Sequence, residues 1–217
     1  MEPEKLTILA SSKEKRYIRK IKTTPECLKK FLFTPTKSAS LSLGMMLITS
    51  DCKAVLLKRT ASFLYPLVKK NSLLLNDWIV DALYPSEISE LASKTPFPKS
   101  AKGLSPIYIF PGGHSNKNEF AIHTLLRELK EETSINFYLN QLKFHQTYFF
   151  EVVILDLMIM RRFRNLVFPV KVDLTSREIA RNFKETKHTR DPLFVDIFYC
   201  QDLVQALLTV QNIMLLK

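Results

Sequence analysis

Residues 112–135 of the 217-residue chain read GGHSNKNEFAIHTLLRELKEETSI. The chain has only four glycines, and two of them, Gly112 and Gly113, open this stretch. The apolar run at 107–110 before them has the character of a short buried strand, and a helical pattern follows them. Glycines between a strand and a helix usually mark a sharp bend or a close approach of the backbone. The stretch therefore predicts a strand, a tight loop and an amphipathic helix.

The predicted helix carries an acidic strip. Glu128, Glu131 and Glu132 are spaced i, i+3 and i+4, which puts their carboxylates along one helical face. Like charges at this spacing repel one another, and near the C-terminal end of a helix they also oppose the helix dipole. Two explanations are open at this point: a solvated acidic face that water screens, or a site where a bound cation neutralises the carboxylates.

The spacing of the whole stretch favours the second explanation. It fits the pattern G-x5-E-x7-R-E-(aliphatic)-x-E-E-x-G-(aliphatic) at every defined position but one. This pattern is the Nudix box, so the chain resembles the Nudix hydrolases. The exception is Ser134, where the family has glycine; a serine in the left-handed conformation common at helix ends would cost about 1 kcal/mol. The resemblance implies an α/β fold, the Nudix α/β/α sandwich with a mixed sheet.

The resemblance also implies the chemistry of the site. Nudix enzymes cleave pyrophosphate linkages with divalent cations, and the metal-binding positions of the family match Glu128, Glu131, Glu132 and the carbonyl of Gly112. Because these donors are all oxygen atoms, Mg²⁺ or Mn²⁺ is expected as the cofactor. The same three glutamates are the catalytic candidates, and one of them, Glu128 or Glu131 in the first place, would act as general base.

The resemblance also implies structural or auxiliary roles for four further residues. Gly113 belongs to the loop, and Glu119 and Arg127 are expected to form an ion pair that fixes the loop on the helix. Many Nudix enzymes recruit another acidic residue from a downstream loop, and Glu185 in the polar stretch 184–191 is the candidate for this metal ligand. The alternative for Glu185 is an ordinary exposed loop glutamate.

The composition is that of a basic, globular protein. Hydrophobic residues make up 46% of the chain, and 32 Lys and Arg against 21 Asp and Glu give a net charge of +11 and a pI near 9.6. Because the proposed active helix is acidic, the excess positive charge must lie elsewhere, and a polyanionic partner such as RNA is expected. A membrane is not expected as a partner, because no basic amphipathic helix with a clean apolar face stands out. The longest apolar stretch, 147–160, is too short to span a bilayer and contains Glu151 and Asp156.

The cysteines and the N-terminal residues bear on location. Cys27, Cys52 and Cys200 are scattered, odd in number and without metal-ligand spacing, which fits a reducing intracellular compartment. The N-terminal residues have no apolar core of the signal-peptide type. We therefore expect a cytoplasmic protein, with the nucleus left open, and no obligate protein partner is evident.

The remaining sequence divides into a lead-in and one domain. Residues 1–38 form a basic segment that is expected to pack on the core, and residues 39–217 form the Nudix domain with a helical insertion at about 64–105. Two helices with serine N-caps are predicted within the insertion. The predicted elements are strands at 41–48 and 54–58; helices at 72–83 and 86–92; strands at 142–160 and 165–172, linked by Arg161–Arg164; a helix capped by 174–176 and reaching about 183; a strand at 193–199; and a helix at 202–216.

Outside the box, the chain is similar to the mRNA-decapping Nudix enzymes of poxviruses and to related baculovirus proteins described as ADP-ribose pyrophosphatases. The resemblance is carried by 48–51, 58–65, the box, 174–176, 183–184, Asp191 and Phe194. In those enzymes the methylated guanine lies between two aromatic rings with an acidic group near its edge, and Phe63, Phe163 and Asp156 match these positions. The resemblance also implies a viral origin.

The implied cap pocket is chemically reasonable. A methylated guanine carries positive charge and stacks strongly on aromatic faces. A carboxylate within a run as apolar as 152–160 needs a partner, which favours a binding role for Asp156. The alternative for Phe63 and Phe163 is that they are core aromatics, since the chain has 15 phenylalanines.

Three functions are compatible with these patterns. The first is hydrolysis of capped RNA to 7-methyl-GDP and 5′-monophosphate RNA, favoured by the basic charge, the insertion and the cap-pocket matches. Lys58 and Arg59 are its candidates for binding phosphates. The second is hydrolysis of ADP-ribose or a similar nucleoside diphosphate derivative; such enzymes often carry a proline after the box, and here none occurs between Pro111 and Pro169. The third is a non-catalytic RNA-binding module, which the intact set of glutamates argues against. The sequence favours the first.

Overall fold

The structure, a computed structural model, describes residues 4–11, 14–36, 41–70, 77–93, 103–105, 107–156 and 161–216. Its strands are β1 (Glu4–Ala10), β2 (Glu14–Lys22), β3 (Ser42–Ile48), β4 (Lys53–Arg59), β5 (Tyr108–Ile109), β6 (Gly112–His114), β7 (Lys143–Phe144), β8 (Tyr148–Asp156), β9 (Arg161–Lys171) and β10 (Thr189–Asp196). Its helices are α1 (Pro25–Leu32), α2 (Tyr65–Lys69), α3 (Asp77–Val80), α4 (Pro85–Ala92), α5 (Ala121–Thr133), α6 (Ser176–Asn182) and α7 (Leu203–Leu216).

The strands form one mixed sheet. Its main order is β1-β2-β8-β9-β3-β4-β10, while β5, β6 and β7 pair with β4, β3 and β9. β3 and β9 run parallel, from Ser42 beside Asn165 to Ile48 beside Lys171, and the other pairs are antiparallel. The mixed sheet predicted from the sequence is therefore confirmed.

Helices cover both faces of this sheet, because successive residues of a central strand point to opposite sides. Met45 of β3 packs in a cluster with residues of α1, α5 and α6 (Leu28, Leu125 and Ile179). Its neighbour Met46 packs in a second cluster with residues of α7 (Ala206, Leu207 and Val210). This arrangement confirms the predicted α/β/α sandwich.

The N-terminal segment contributes to the sheet itself. β1 and β2 form a hairpin whose second strand pairs with β8 along its full length, from Glu14 beside Asp156 to Lys22 beside Tyr148. α1 follows, with Thr24 as its N-cap; the Thr24 hydroxyl accepts from the backbone N–H of Cys27 at 3.2 Å.

The insertion before the box has a small hydrophobic cluster of its own, built from Leu64, Val68, Ile79 and Leu83. The predicted serine cap at Ser86 is wrong. α4 begins one residue earlier, with Pro85 in the first turn and Glu87 accepting the N–H of Tyr84 at 2.7 Å. Helix α2 was not predicted, and the other predicted cap, Ser72, lies outside the described residues.

Several predicted boundaries after the box are wrong as well. The strand expected at 142–160 is two strands, β7 and β8, interrupted at 145–147, and residues 157–160 lie outside the described part. Residues 162–164, predicted as a link, belong to β9, where Phe163 lies beside Ile154 of β8. The last strand runs earlier than predicted and ends before Phe198.

Within the described residues, no helix combines the length and the apolar character needed to cross a bilayer.

Candidate active site

Both glycines of the loop lie at close approaches, and at Gly112 the neighbour is fixed backbone. At Gly112, φ is +152°, and a Cβ atom would lie 2.2 Å from the backbone oxygen of Leu43 on the neighbouring strand β3. At Gly113 a Cβ atom would lie 2.3 Å from the carboxyl carbon of Glu128. The loop is thus pressed between the sheet on one side and the acidic face of α5 on the other.

An ion pair fixes this loop on the helix. Arg127 Nε donates to Glu119 Oε1 at 3.0 Å, and its Nη2 donates to the carbonyl of His114 at 3.0 Å. Glu119 also accepts from the N–H of Asn116 and the hydroxyl of Thr124, both at 2.9 Å. The hydrogen bond from Arg127 is the main reason that the pKa of Glu119 falls to about 2. The pair predicted from the sequence forms in the structure.

Glu132 is the most deeply buried of the three box glutamates, with 5% of its surface exposed. Its Oε2 accepts from the N–H of Gly112 at 2.8 Å, which joins the helix to the start of the loop. Burial raises the pKa of Glu132 to about 8, and the charges of Glu128 and Glu131 act in the same direction. The carboxylates therefore form a crowded acidic group whose negative charge is incompletely compensated by the protein.

Glu128 and Glu131 both lie near Arg127, a residue of α5 that also contacts the loop. Arg127 Nη1 lies 2.7 Å from Glu128 Oε1 and 3.6 Å from Glu131 Oε1. In the described part of the chain, no three Asp, Glu, His or Cys side chains are grouped as in a bound metal site. Glu132 lies at Gly112 and Glu128 at Gly113, while Glu128 and Glu131 are directed to Arg127.

A cavity of about 1030 Å³ opens beside the box. Its lining includes Gly112 and Gly113 together with all three residues of the predicted cap pocket, Phe63, Asp156 and Phe163. The two rings are 52% and 41% exposed, so they are not core aromatics. The structure thus brings residues from three distant segments into one space that reaches the box.

The insertion holds the loop that carries Phe63. Glu87 of α4 is only 5% exposed, and its Oε1 accepts from the N–H of Ser62 at 2.8 Å while its Oε2 holds Tyr84. Arg59 lies over the Phe63 ring, with Cζ 4.1 Å from the ring centroid, and also lines the cavity. The sequence analysis missed Glu87; its position at the third residue of α4, after Pro85, was the available signal.

A second buried polar group forms another part of the cavity wall. Arg16 of β2 is 4% exposed; its Nε donates to Glu14 at 2.7 Å and its Nη1 to Gln211 of α7 at 2.5 Å. All three residues line the cavity. Sequence reasoning had placed Arg16 only in a basic lead-in, and no local signal links it to a residue 195 positions away.

Seven predicted site residues do not line the cavity. Five of them belong to the box, which reaches the cavity through Gly112 and Gly113: Glu119, Arg127, Glu128, Glu131 and Glu132. The other two are Lys58 and Glu185. Lys58 precedes Arg59 on β4 and therefore points to the other side of the sheet, where its Nζ lies 3.1 Å from Asp191. Glu185 is exposed in the loop beside the end of α5, where the N–H of Lys184 donates to the carbonyl of Thr133 at 3.2 Å. Neither side chain lines the cavity.

The sequence is similar to viral proteins. It is 41% identical over 189 residues to putative hydrolase 080R of Invertebrate iridescent virus 3, a match that covers 81% of this chain and 78% of the relative. It is 32% identical over 164 residues to mRNA-decapping protein OPG122 of vaccinia virus (strain Copenhagen), covering 71% of this chain and 64% of that protein. The chain therefore spans less than two thirds of the decapping protein.

Other comparisons are weaker. No protein-family model matches the sequence. Among solved structures, an Ap4A hydrolase binary complex from C. elegans superposes with a TM-score of 0.41 at 12% identity, covering 80% of this chain and 98% of that one. A NUDIX hydrolase from Nitrosomonas europaea gives a TM-score of 0.39 at 12% identity, covering 82% and 91%.

Family membership follows from the box and the viral relatives. Every defined box position but Ser134 is present, and the loop, the ion pair and the acidic helix are assembled around Gly112 and Gly113. The matched region of the viral hydrolase includes most of both chains. The chain belongs to the Nudix superfamily of pyrophosphohydrolases and is related within it to viral proteins.

Proposed function

We propose that this chain is an mRNA-decapping hydrolase that cleaves the pyrophosphate of capped RNA and releases 7-methyl-GDP and 5′-monophosphate RNA. The observation that carries the proposal is the single cavity that joins Gly112 and Gly113 of the box to Phe63, Asp156 and Phe163. A substrate whose base lay between the rings would have its phosphates within the same space as the box.

The exposed rings suit a methylated guanine. Methylation gives the base a positive charge, so it stacks on electron-rich ring faces more strongly than an ordinary guanine does. Asp156 would accept hydrogen bonds from the guanine edge. Glu87 holds the backbone next to Phe63 through the N–H of Ser62, and Arg59 lies over the Phe63 ring.

The residues of the box suit a hard divalent cation. Glu128, Glu131, Glu132 and the carbonyl of Gly112 would hold Mg²⁺ or Mn²⁺, because carboxylate and carbonyl oxygens are the donors these ions prefer. The buried carboxylate of Glu132 and the direct contact of Glu128 with Gly113 support this set. Such an ion would offset the phosphate charge and lower the pKa of the attacking water.

The side chains of the site would have separate roles in positioning the loop, binding phosphate and accepting a proton. Glu132 keeps the loop against the helix through the N–H of Gly112, and Glu119 holds Arg127. Glu128 or Glu131 would accept the proton of water as general base once its contact with Arg127 is released. Arg59, between the acidic group and Phe63, would bind a substrate phosphate. Glu185 is a further candidate ligand, which would require its loop to approach the box.

The charge and the relatives also support an RNA substrate. The net charge of +11 exceeds what a small soluble nucleotide would require. The vaccinia relative, 32% identical, is described as an mRNA-decapping protein. Similarity over part of that protein makes capped RNA the natural first substrate to test.

The test is hydrolysis of RNA labelled in its cap phosphate, compared with ADP-ribose, in Mg²⁺ or Mn²⁺. We expect release of labelled 7-methyl-GDP, and a loss of roughly 10³-fold in Glu132→Gln, since an ion held by such a group contributes several kcal/mol. The matched control Glu26→Gln changes an exposed acid of α1 and should retain activity. Rapid turnover of ADP-ribose with intact capped RNA would instead identify a small-molecule pyrophosphatase.

A further inference from the structure

At the end of the sheet formed by β1, β2, β8 and β9, one face carries basic side chains and belongs to neither helix-covered cluster. In the register of β2, β8 and β9, Lys15, Leu155 and Arg162 form one row across the strands, and Tyr17, Val153 and Arg164 form the next. Because side chains alternate along a strand, both rows lie on the side opposite to Arg16 and Phe163. We name this surface the hairpin face; its members are Ile8, Lys15, Tyr17, Arg19, Glu151, Val153, Leu155, Arg162 and Arg164.

The centre of the hairpin face is apolar and lies outside the helix-covered core. Tyr17, Val153 and Leu155 are absent from both clusters that the helices cover. Val153 is nonetheless buried, at 3% exposed, whereas Tyr17 and Leu155 are half-buried and Ile8, beside Tyr17, is 47% exposed. The accessible parts of Tyr17, Leu155 and Ile8 can contact bases of any sequence, because every base has an apolar face.

The edge of the hairpin face is basic. It carries four cations, Lys15, Arg19, Arg162 and Arg164, and one carboxylate, Glu151. Glu151 is largely buried and accepts from Arg164 Nε, while Arg19 Nη1 lies 3.6 Å away. One anion among four cations leaves a strong positive excess, so the charge of this face complements a polyanion rather than an acidic-and-basic protein surface.

The hairpin face is continuous with the active-site cavity. Arg162 and Arg164 line the cavity, and Phe163 between them points to the opposite side of the sheet as a member of the base pocket. A strand leaving that cavity over β9 would therefore meet these two arginines first, and Tyr17 and Lys15 next.

We propose that the hairpin face binds the single-stranded RNA that follows the cap, with phosphates on the basic side chains and bases on the accessible parts of Tyr17, Leu155 and Ile8. This inference rests on the proposed function for the position of the RNA 5′ end. Adjacent strands are about 4.8 Å apart, so the distance from β9 to β2 is about 10 Å, enough for a few nucleotides.

The test measures binding of an uncapped, 5′-monophosphate single-stranded RNA of about 16 nucleotides, the upper range for one single-strand-binding fold. Fluorescence anisotropy is recorded for the parent chain and for Lys15→Glu/Arg19→Glu over a series of salt concentrations. We expect at least about 10-fold weaker binding, and a slope of log affinity against log salt that is smaller by about 1.4 for two lost phosphate contacts.

Two further variants control this measurement. Lys171→Glu/Lys187→Glu makes the same change of charge at exposed positions outside the hairpin face, and should weaken binding much less. The single variant Lys15→Glu avoids the contact between Arg19 and Glu151, so it tests the face even if the double variant fails to fold.

The outcomes separate this inference from the proposed function. Equal RNA affinity for the parent, Lys15→Glu and the double variant would overturn the inference, and would leave the face to a protein partner. Reduced RNA affinity in a chain that does not cleave capped RNA would overturn decapping and leave the RNA-binding face standing. If both hold, the preference for long capped RNA over a cap dinucleotide, as the ratio of kcat/KM values, should fall about 10-fold in the double variant.

Discussion

The box and the proposed base pocket, Phe63, Asp156 and Phe163, meet at one cavity through Gly112 and Gly113 but are built in opposite ways. The box is held by contacts within a short stretch: Glu119 to Arg127, eight residues apart, and Glu132 to Gly112, twenty apart. The base pocket takes Phe63 and Phe163 from segments a hundred positions apart and leaves both rings partly exposed. Fixed geometry thus lies where bonds would be cleaved, and adaptable surface lies where a substrate would be recognised.

The pocket nevertheless has fixed groups behind its exposed rings. Glu87 holds the backbone beside Phe63, and Arg16 with Gln211 joins β2 to α7. Each of these groups is at least 94% buried, so removing one partner would leave a polar atom without its bond. The two regions therefore differ in which residues hold them in place. The box is held by contacts among its own residues, and the pocket is held by buried residues behind its exposed rings.

The largest effect should come from breaking the order of the box. The pKa of Glu119 is about 2 against an ordinary value of 4.5, so its stabilisation is complete above pH 4.5 and is lost as the pH falls toward 2. Glu119→Gln should therefore lower the free energy of unfolding by about 3 kcal/mol at pH 7 and much less near pH 2. Urea unfolding of both chains across this range measures the difference.

Salt provides the control for this measurement. Repeating the series in about 1 M NaCl screens long-range charge, but a partly buried pair is screened much less. The difference between the chains should therefore persist. Parallel stability curves from pH 7 down to pH 2 would show that the ion pair does not organise the box.

A smaller effect is expected in the pocket. Phe63→Ala or Phe163→Ala should raise KM for capped substrate by about 5- to 100-fold, since stacking of a base on a ring contributes about 1–3 kcal/mol. Binding of Mn²⁺, followed by its paramagnetic signal, should be unchanged because neither ring contacts a box glutamate. Phe198→Ala removes a ring that is 70% exposed outside the cavity and is the matched control. Unchanged inhibition by free methylated cap analogue would remove both rings from the pocket.

The smallest effect concerns the exit from the box helix. Ser134 has φ 60° and ψ 10°, the left-handed conformation expected where the family has glycine. Ser134→Gly should raise the free energy of unfolding by up to about 1 kcal/mol, and Ser134→Ala should bring no such gain. Thermal unfolding of the three chains decides this. A glycine variant that melts below the parent would indicate that the hydroxyl of Ser134 stabilises the exit.

The sequence predicted the parts of the fold that depend on local pattern. The helix after Glu119 follows from periodicity, and the Nudix resemblance implied the left-handed residue at Ser134 and the sandwich of helices about a mixed sheet. The start of β9 did not, because Arg162 and Arg164 around one aromatic resemble a polar link. They are tolerated in a strand because their face of the sheet is open to solvent.

The residues of the site show the same difference between local patterns, which the sequence reveals, and tertiary contacts, which it does not. Glu119 and Arg127 could be paired from the sequence because the box fixes their spacing. Lys58 could not be separated from Arg59, since only strand pairing shows that Lys58 meets Asp191 on the other side. The bond from Arg16 to Gln211 is a tertiary contact, and no local pattern contains it.

The two hydrogen bonds of Glu87 have a consequence for how such enzymes can be altered. This carboxylate accepts hydrogen bonds from the backbone N–H groups of both Ser62 and Tyr84. The bonds therefore fix the position of the 59–63 loop relative to the insertion. A chimera that received the insertion of a relative without its matching loop would bury an amide with no acceptor and misplace the ring of Phe63. A transfer of the insertion between relatives should therefore succeed only when the 59–63 loop is transferred with it.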